Sequence, residues 1–98
     1  MLIFTSNYKK TLTLNIIKDK VSEKGENLTW EDFDDYESKE IGSGLYILLY
    51  EISDTYEFKI GGILNEKPMY MRLELKENND IYIDIRYDDI DKFTKNIK

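Results

Sequence analysis

The sequence predicts an α+β fold: a four- or five-stranded antiparallel meander sheet with one or two short helices packed on one face. Three observations carry this reading. From Leu45 onward, apolar residues recur at every second position in successive short runs, the period of a β-strand. The runs are separated by only a few turn-forming residues, too few for the crossovers that parallel strands need. Apolar residues at helical intervals flank the runs, around Trp30 and again from Ile90 to the C-terminus. With 98 residues, the chain is expected to form a single domain over 1–98.

Taken in order, residues 10–17 (KTLTLNII) set Leu12, Leu14 and Ile16 against Thr11, Thr13 and Asn15, and read as a strand. A helix over 7–24 is the rival, because Leu14, Ile17 and Val21 also fit a helical stripe. Lys24-Gly25-Glu26-Asn27 is a loop. Thr29 suits the N-cap of a short helix, with its hydroxyl taking an orphan N–H and Glu31 and Asp32 at the positive dipole end. Trp30, Phe33 and Tyr36 form that helix's stripe, and Gly42-Ser43-Gly44 breaks the chain.

Leu45 to Ile52 is apolar on both alternations, as in a central strand covered on two sides. Ser53-Asp54-Thr55 makes a turn, after which Tyr56, Phe58 and Ile60 alternate with Glu57 and Lys59. Gly61-Gly62 marks a bulge or a close backbone approach. A turn over Asn65 to Pro68 leads to Met69, Met71, Leu73 and Leu75 facing inward, with Tyr70, Arg72 and Glu74 facing outward. After a turn at Glu77-Asn78-Asn79-Asp80, Ile81, Ile83 and Ile85 point inward and Tyr82, Asp84 and Arg86 outward. The last helix is capped by Asp88 or Asp89 and buries Ile90, Phe93 and Ile97.

Composition narrows the function. Hydrophobic residues make up 41% and charged residues 35%, a globular balance. There is no Cys and no His, which removes disulfides, thiolate and imidazole metal sites, and Ser–His or Cys–His nucleophile systems. The bias toward Lys and Ile, with Ala and Gln absent, reads as AT-rich coding of the kind found in low-GC bacteria and their mobile elements. The longest apolar run near the start, Leu2-Ile3-Phe4, is too short for a signal peptide or a membrane span, so a cytoplasmic location is expected. The net charge of −6 is uneven. Residues 26–40 carry seven acids against Lys39 alone, while residues 1–25 carry five Lys against Asp19 and Glu23. No Arg-bearing basic face stands out, so direct nucleic-acid binding is not expected.

Two surfaces emerge as candidates. On the outward sheet face, Tyr70, Arg72 and Glu74 share a side with Tyr82, Asp84 and Arg86, and Tyr46 and Tyr50 could join them. Tyr and Arg are the residue types of binding hot spots, though the same pattern also suits ordinary cross-strand pairs. The second is the acidic stretch Glu31, Asp32, Asp34, Asp35, Glu37 and Glu40, which could imitate a run of phosphates in a basic groove or simply be a solvated face. Chemistry of other kinds fits poorly. A calcium loop starting at Asp32 fails at three of its five diagnostic positions. Ser43 lacks the nucleophile spacing, and Gly61-Gly62 is not followed by a phosphate-loop Lys. No metal and no cofactor is expected.

The stretches TWEDFDDYE (29–37), EIGSGLYILLYEI (40–52), IGG (60–62), KPMY (67–70) and IYIDIRYDDI (81–90) carry a resemblance to a small domain of low-GC Gram-positive bacteria. It is similar to the C-terminal accessory segment of penicillin-sensor-like membrane metallopeptidases. The zinc-binding HExxH helix of those enzymes is missing here, so no catalytic residue transfers, and the resemblance implies a recognition or regulatory domain. The expectation is a non-enzymatic, acidic protein-binding module. Its partner-binding residues would be Tyr70, Arg72, Tyr82, Asp84 and Arg86 on the sheet, with Asp32, Asp34 and Asp35 on the acidic stretch. A sharper form is a mobile-element or phage inhibitor of a nucleic-acid-handling enzyme, of the anti-CRISPR kind, whose partner has a basic groove. The alternative is a ligand-sensing domain with an apolar pocket lined by Trp30, Phe33 and Phe93, though these three read better as core. An exposed edge strand could also pair two copies into a homodimer.

Overall fold

Backbone pairing organises the middle of the chain into five antiparallel strands whose spatial order is their sequence order. In the computed structural model, which describes residues 9–95, these are β1 (Lys39–Glu40), β2 (Tyr46–Glu51), β3 (Tyr56–Gly62), β4 (Tyr70–Leu75) and β5 (Asn78–Asp84). Two helices, α1 (Leu14–Lys24) and α2 (Ile90–Lys95), and two 3₁₀ turns, Gly25–Asn27 and Trp30–Phe33, accompany the sheet. The fold is the α+β meander that the alternation predicts. Ile97, expected in the last helix's stripe, lies outside the described residues.

Strand register sorts side chains by face, because successive residues point to opposite sides. Leu48 pairs with Ile60, Tyr50 with Phe58, Phe58 with Leu73, and Leu73 with Ile83, which places these residues on one side. Leu12, Ile17, Leu28, Trp30, Phe33 and Ile90 pack onto that side in one buried cluster. Phe33 sits among the strand aromatics, its ring centroid 5.1 Å from Phe58 and 6.1 Å from Tyr50. Phe93 of α2 meets Tyr56 at 6.2 Å. Burying rings of this size contributes about 1.5–3 kcal/mol each, and the tilted pairings add to it.

The chain departs from its sequence pattern in three places, each with a physical cause. Residues 14–24 are helical, so the strand over 10–17 is wrong and its helical rival is closer. Thr13 caps α1 by accepting the Ile16 N–H at 3.2 Å, and the helix turns Leu14, Ile17 and Val21 toward the core. Leu12 is buried just ahead of the cap, which completes a false alternation. Gly25, at φ 51°, ends the helix in a conformation that favours glycine.

The segment after Thr29 is a single 3₁₀ turn and not a longer helix. Spacing of three between Trp30 and Phe33 is the 3₁₀ period, which stacks both rings on one edge. Tyr36 instead joins a parallel bridge to Lys10, with Glu37 N–H donating to Lys10 O at 2.8 Å.

The β4–β5 turn is tighter than the Asn-rich stretch suggests, for Asn78, Asn79 and Asp80 belong to β5. Glu74 faces Tyr82 but Leu75 faces Asn78, so extra residues bulge out of β5 at this point. Asn79 steadies the bulge by donating to Leu75 O at 2.9 Å and Glu57 Oε2 at 3.0 Å. Ile81, expected inward, is thereby 41% exposed. Met69, also expected inward, precedes β4 and is 61% exposed.

Gly61-Gly62 is a close approach, since pairing runs through Gly61 without a break. A Cβ on Gly61 would fall 2.7 Å from Tyr70 Cε2, because the Tyr70 ring lies across the glycine from the neighbouring strand.

Candidate functional site

The second face of the sheet carries polar and aromatic side chains, and no described helix packs on it. Its rows follow from register: Leu49 beside Lys59, Lys59 beside Arg72, Arg72 beside Asp84, and Glu74 between Glu57 and Tyr82. The sequence expectation for Tyr70, Arg72, Glu74, Tyr82 and Asp84 therefore holds as to side. Tyr46 and Tyr50 are on the opposite side, and their place here is taken by Ile47 and Leu49. Tyr46 packs against Trp30 in a tilted pair, ring centroids 5.3 Å apart. Tyr50 is enclosed by Phe33 and Phe58, and burial pushes its hydroxyl up to about 12.

At the centre of the face, Arg72 lies between two tyrosines. Its Cζ is 4.2 Å from the Tyr70 ring centroid and 4.3 Å from that of Tyr82. Both distances are well inside the range of cation–π attraction. Tyr70 and Arg72 come from alternate positions of one strand and Tyr82 from the next, so the sandwich exists only in this register. Gly61 gives Tyr70 room to lie flat. Tyr82 remains 44% exposed.

Beside the sandwich is an ion cluster that sequence reading missed. Lys59 Nζ lies 2.9 Å from Glu74 Oε1 and 3.6 Å from Glu57 Oε2. Glu74 is only 2% exposed, and no hydrogen bond of good geometry reaches its Oε1. Burial works against the Lys59 charge, but the close Glu74 carboxylate, with Glu57 behind it, raises its pKa overall. Alternation of Glu57 and Lys59 in the sequence hinted at a polar row; which carboxylate they would meet depended on the register.

Asp84 and Arg86 form a structural clamp. Asp84 Oδ1 accepts from Arg86 N and Nε, both at 3.0 Å, while Oδ2 accepts from Arg86 Nη2 at 2.8 Å and Met71 N at 3.1 Å. Arg86 also donates to Pro68 O at 2.9 Å and Met69 O at 3.2 Å, tying the β3–β4 connection to the end of β5. Arg86 is 7% exposed, so its expected outward position is corrected: the chain turns after Asp84 and folds the guanidinium in. Burial opposes the Asp84 charge, but the Arg86 and Met71 hydrogen bonds and the Arg86 charge hold its carboxyl below the usual range.

The acidic stretch is on the helix-covered side of the sheet, carried by the turn that contains Phe33. The two candidate surfaces are thus separate. Asp32 is spent on local structure: Oδ2 accepts from Thr29 N at 2.8 Å, and Oδ1 takes Lys24 Nζ at 2.8 Å. Burial disfavours its charge, yet these bonds leave its pKa lowered. Glu31, Asp34, Asp35 and Glu37 are exposed. A cleft of about 630 Å³ opens between this turn and the β3–β4 connection, lined in part by Trp30, Asp34, Leu64 and Lys67. Trp30, Phe33 and Phe93, weighed as pocket lining or as core, belong to the core cluster or pack against it. Phe33 is sealed in the core, and Trp30 donates its Nε1–H to Glu66 O at 2.7 Å.

Among the described residues, no group of three or more acidic side chains is placed to hold a metal ion. No described helix is long and apolar enough to cross a membrane. Comparison of the chain with family models, with curated proteins and with solved structures returns no match.

Proposed function

We propose that this chain is a non-enzymatic protein-binding module that docks through the second sheet face. The observation that carries this reading is the Tyr70–Arg72–Tyr82 sandwich. Large aromatic area and a guanidinium, held together on a rigid sheet, are what binding hot spots are made of. Because each tyrosine restrains the arginine, little side-chain freedom is left to lose on association. The absence of His and Cys from the chain also favours recognition over catalysis.

A second reading is that Glu31, Asp34, Asp35 and Glu37, all exposed, enter a basic groove and block a nucleic-acid-handling enzyme. Two variants separate the readings. Immobilised chain should retain one stoichiometric partner from a lysate of its source cells. The Tyr70→Ala/Tyr82→Ala variant should release that partner while still unfolding cooperatively, and Asp34→Lys/Asp35→Lys should keep it. Loss only in the charge-reversed variant would transfer the function to the acidic turn. No stoichiometric partner in any form would remove both.

A further inference from the structure

We infer that Arg72 is the receptor for a single carboxylate presented by the partner, an inference that rests on the sheet-face reading above. The charged groups around it are already engaged. Asp84, its cross-strand neighbour, is committed to Arg86 and the Met71 N–H. Lys59, its neighbour on the other side, is held by Glu74 and Glu57. Among the described residues Arg72 makes no ion pair and no side-chain hydrogen bond, only its two ring contacts. With a ring close to its central carbon from each tyrosine, the guanidinium keeps N–H donors that no described residue engages. Those donors form a planar fork matched to the two oxygens of a carboxylate. The two tyrosines lower the local water content, which strengthens the bond a carboxylate would make.

Charge selects the class of partner. Phosphate also fits the fork, but a nucleic acid brings a row of them to a chain of net charge −6. Glu57 and Glu74 flank the site and repel a polyanion. A single carboxylate on an otherwise uncharged protein segment meets that repulsion once, where a polyanion meets it at every phosphate.

Nitrogen-15 NMR of the Arg72 Nε–H tests this with defined probes. The first is an alanine pentapeptide blocked at both ends with one central glutamate; the second has glutamine in its place. The third is an alanine pentapeptide with a free C-terminus, and the fourth a single-stranded pentanucleotide. The glutamate peptide should shift the Arg72 signal saturably in the millimolar range, and the glutamine peptide should not. A shift with the free C-terminus as well identifies the carboxylate in general as the ligand; its absence identifies the side-chain form. Arg72→Lys, which keeps the charge but loses the fork, should weaken glutamate-peptide binding about tenfold, read from Tyr82 ring shifts. Equal shifts with glutamate and glutamine, stronger binding of the pentanucleotide, or no shift with any peptide would overturn the inference. If Arg72→Lys retains a captured partner that Tyr70→Ala/Tyr82→Ala loses, docking through this face stands and the carboxylate inference alone falls.

Discussion

Arg86 is the residue whose loss the fold should feel most among its charged side chains. Arg86→Ala removes donors from Pro68 O, Met69 O and Asp84 together, leaving a partly buried carboxylate without its cation. Breaking such a pair costs about 3–5 kcal/mol, and urea denaturation should show a loss near the lower end because Asp84 keeps some solvent access. Asp84 also sets an acid limit. Its folded carboxyl lies below the unfolded value of about 4, so its stabilisation is present above that value and is lost as pH falls through the folded one. The stability gap between wild type and Asp84→Asn should therefore close on acidification. Lys59 behaves oppositely: its raised pKa means a contribution present below about 10.4 that disappears only as pH rises through the folded value. Ultraviolet titration should find Tyr50 ionising near 12. A variant lacking the Tyr50 hydroxyl, Tyr50→Phe, should lose that step and no other.

Local elements were legible where pattern and structure share a period. The alternation of Tyr56, Phe58 and Ile60, and of Met71, Leu73 and Leu75, marks β3 and β4 directly, because both strands bury one whole side. It misled at residues 10–17, where a buried Leu12 ahead of a capped helix imitates strand alternation. The cap decides that case. Thr13→Ala should destabilise α1 by about 1 kcal/mol, seen as earlier loss of helical circular dichroism; an unchanged transition would mean the cap is not what starts the helix. Spacing of three after Thr29 likewise signals a 3₁₀ turn, a distinction of period that short stripes blur. At β3, Gly61→Ala should cost about 1–3 kcal/mol and displace the Tyr70 ring, because the added methyl occupies its seat. Equal stability and unchanged Arg72 ring-current shifts would show the ring was not held there.

Across the molecule, one side of the sheet is spent on the core, and the proposed docking uses the other. The sidedness of Tyr70, Arg72 and Tyr82 could be read from alternation alone. Their assembly could not, because it depends on which residues of β3 and β5 stand opposite Arg72, and no local pattern encodes that. The same gap hid the Glu57–Lys59–Glu74 cluster and the inward fold of Arg86. It also let Tyr46 and Tyr50 be grouped with the wrong side, since β2 is apolar on both alternations. With the acidic turn and the tyrosine–arginine sandwich on opposite sides, one partner surface of ordinary size has to choose between them. A photo-crosslinking side chain placed at Tyr82 in one variant and at Asp35 in another reads that choice in source cells. Docking through the sheet face predicts a defined adduct from position 82 and none from position 35; an adduct from position 35 alone would contradict it.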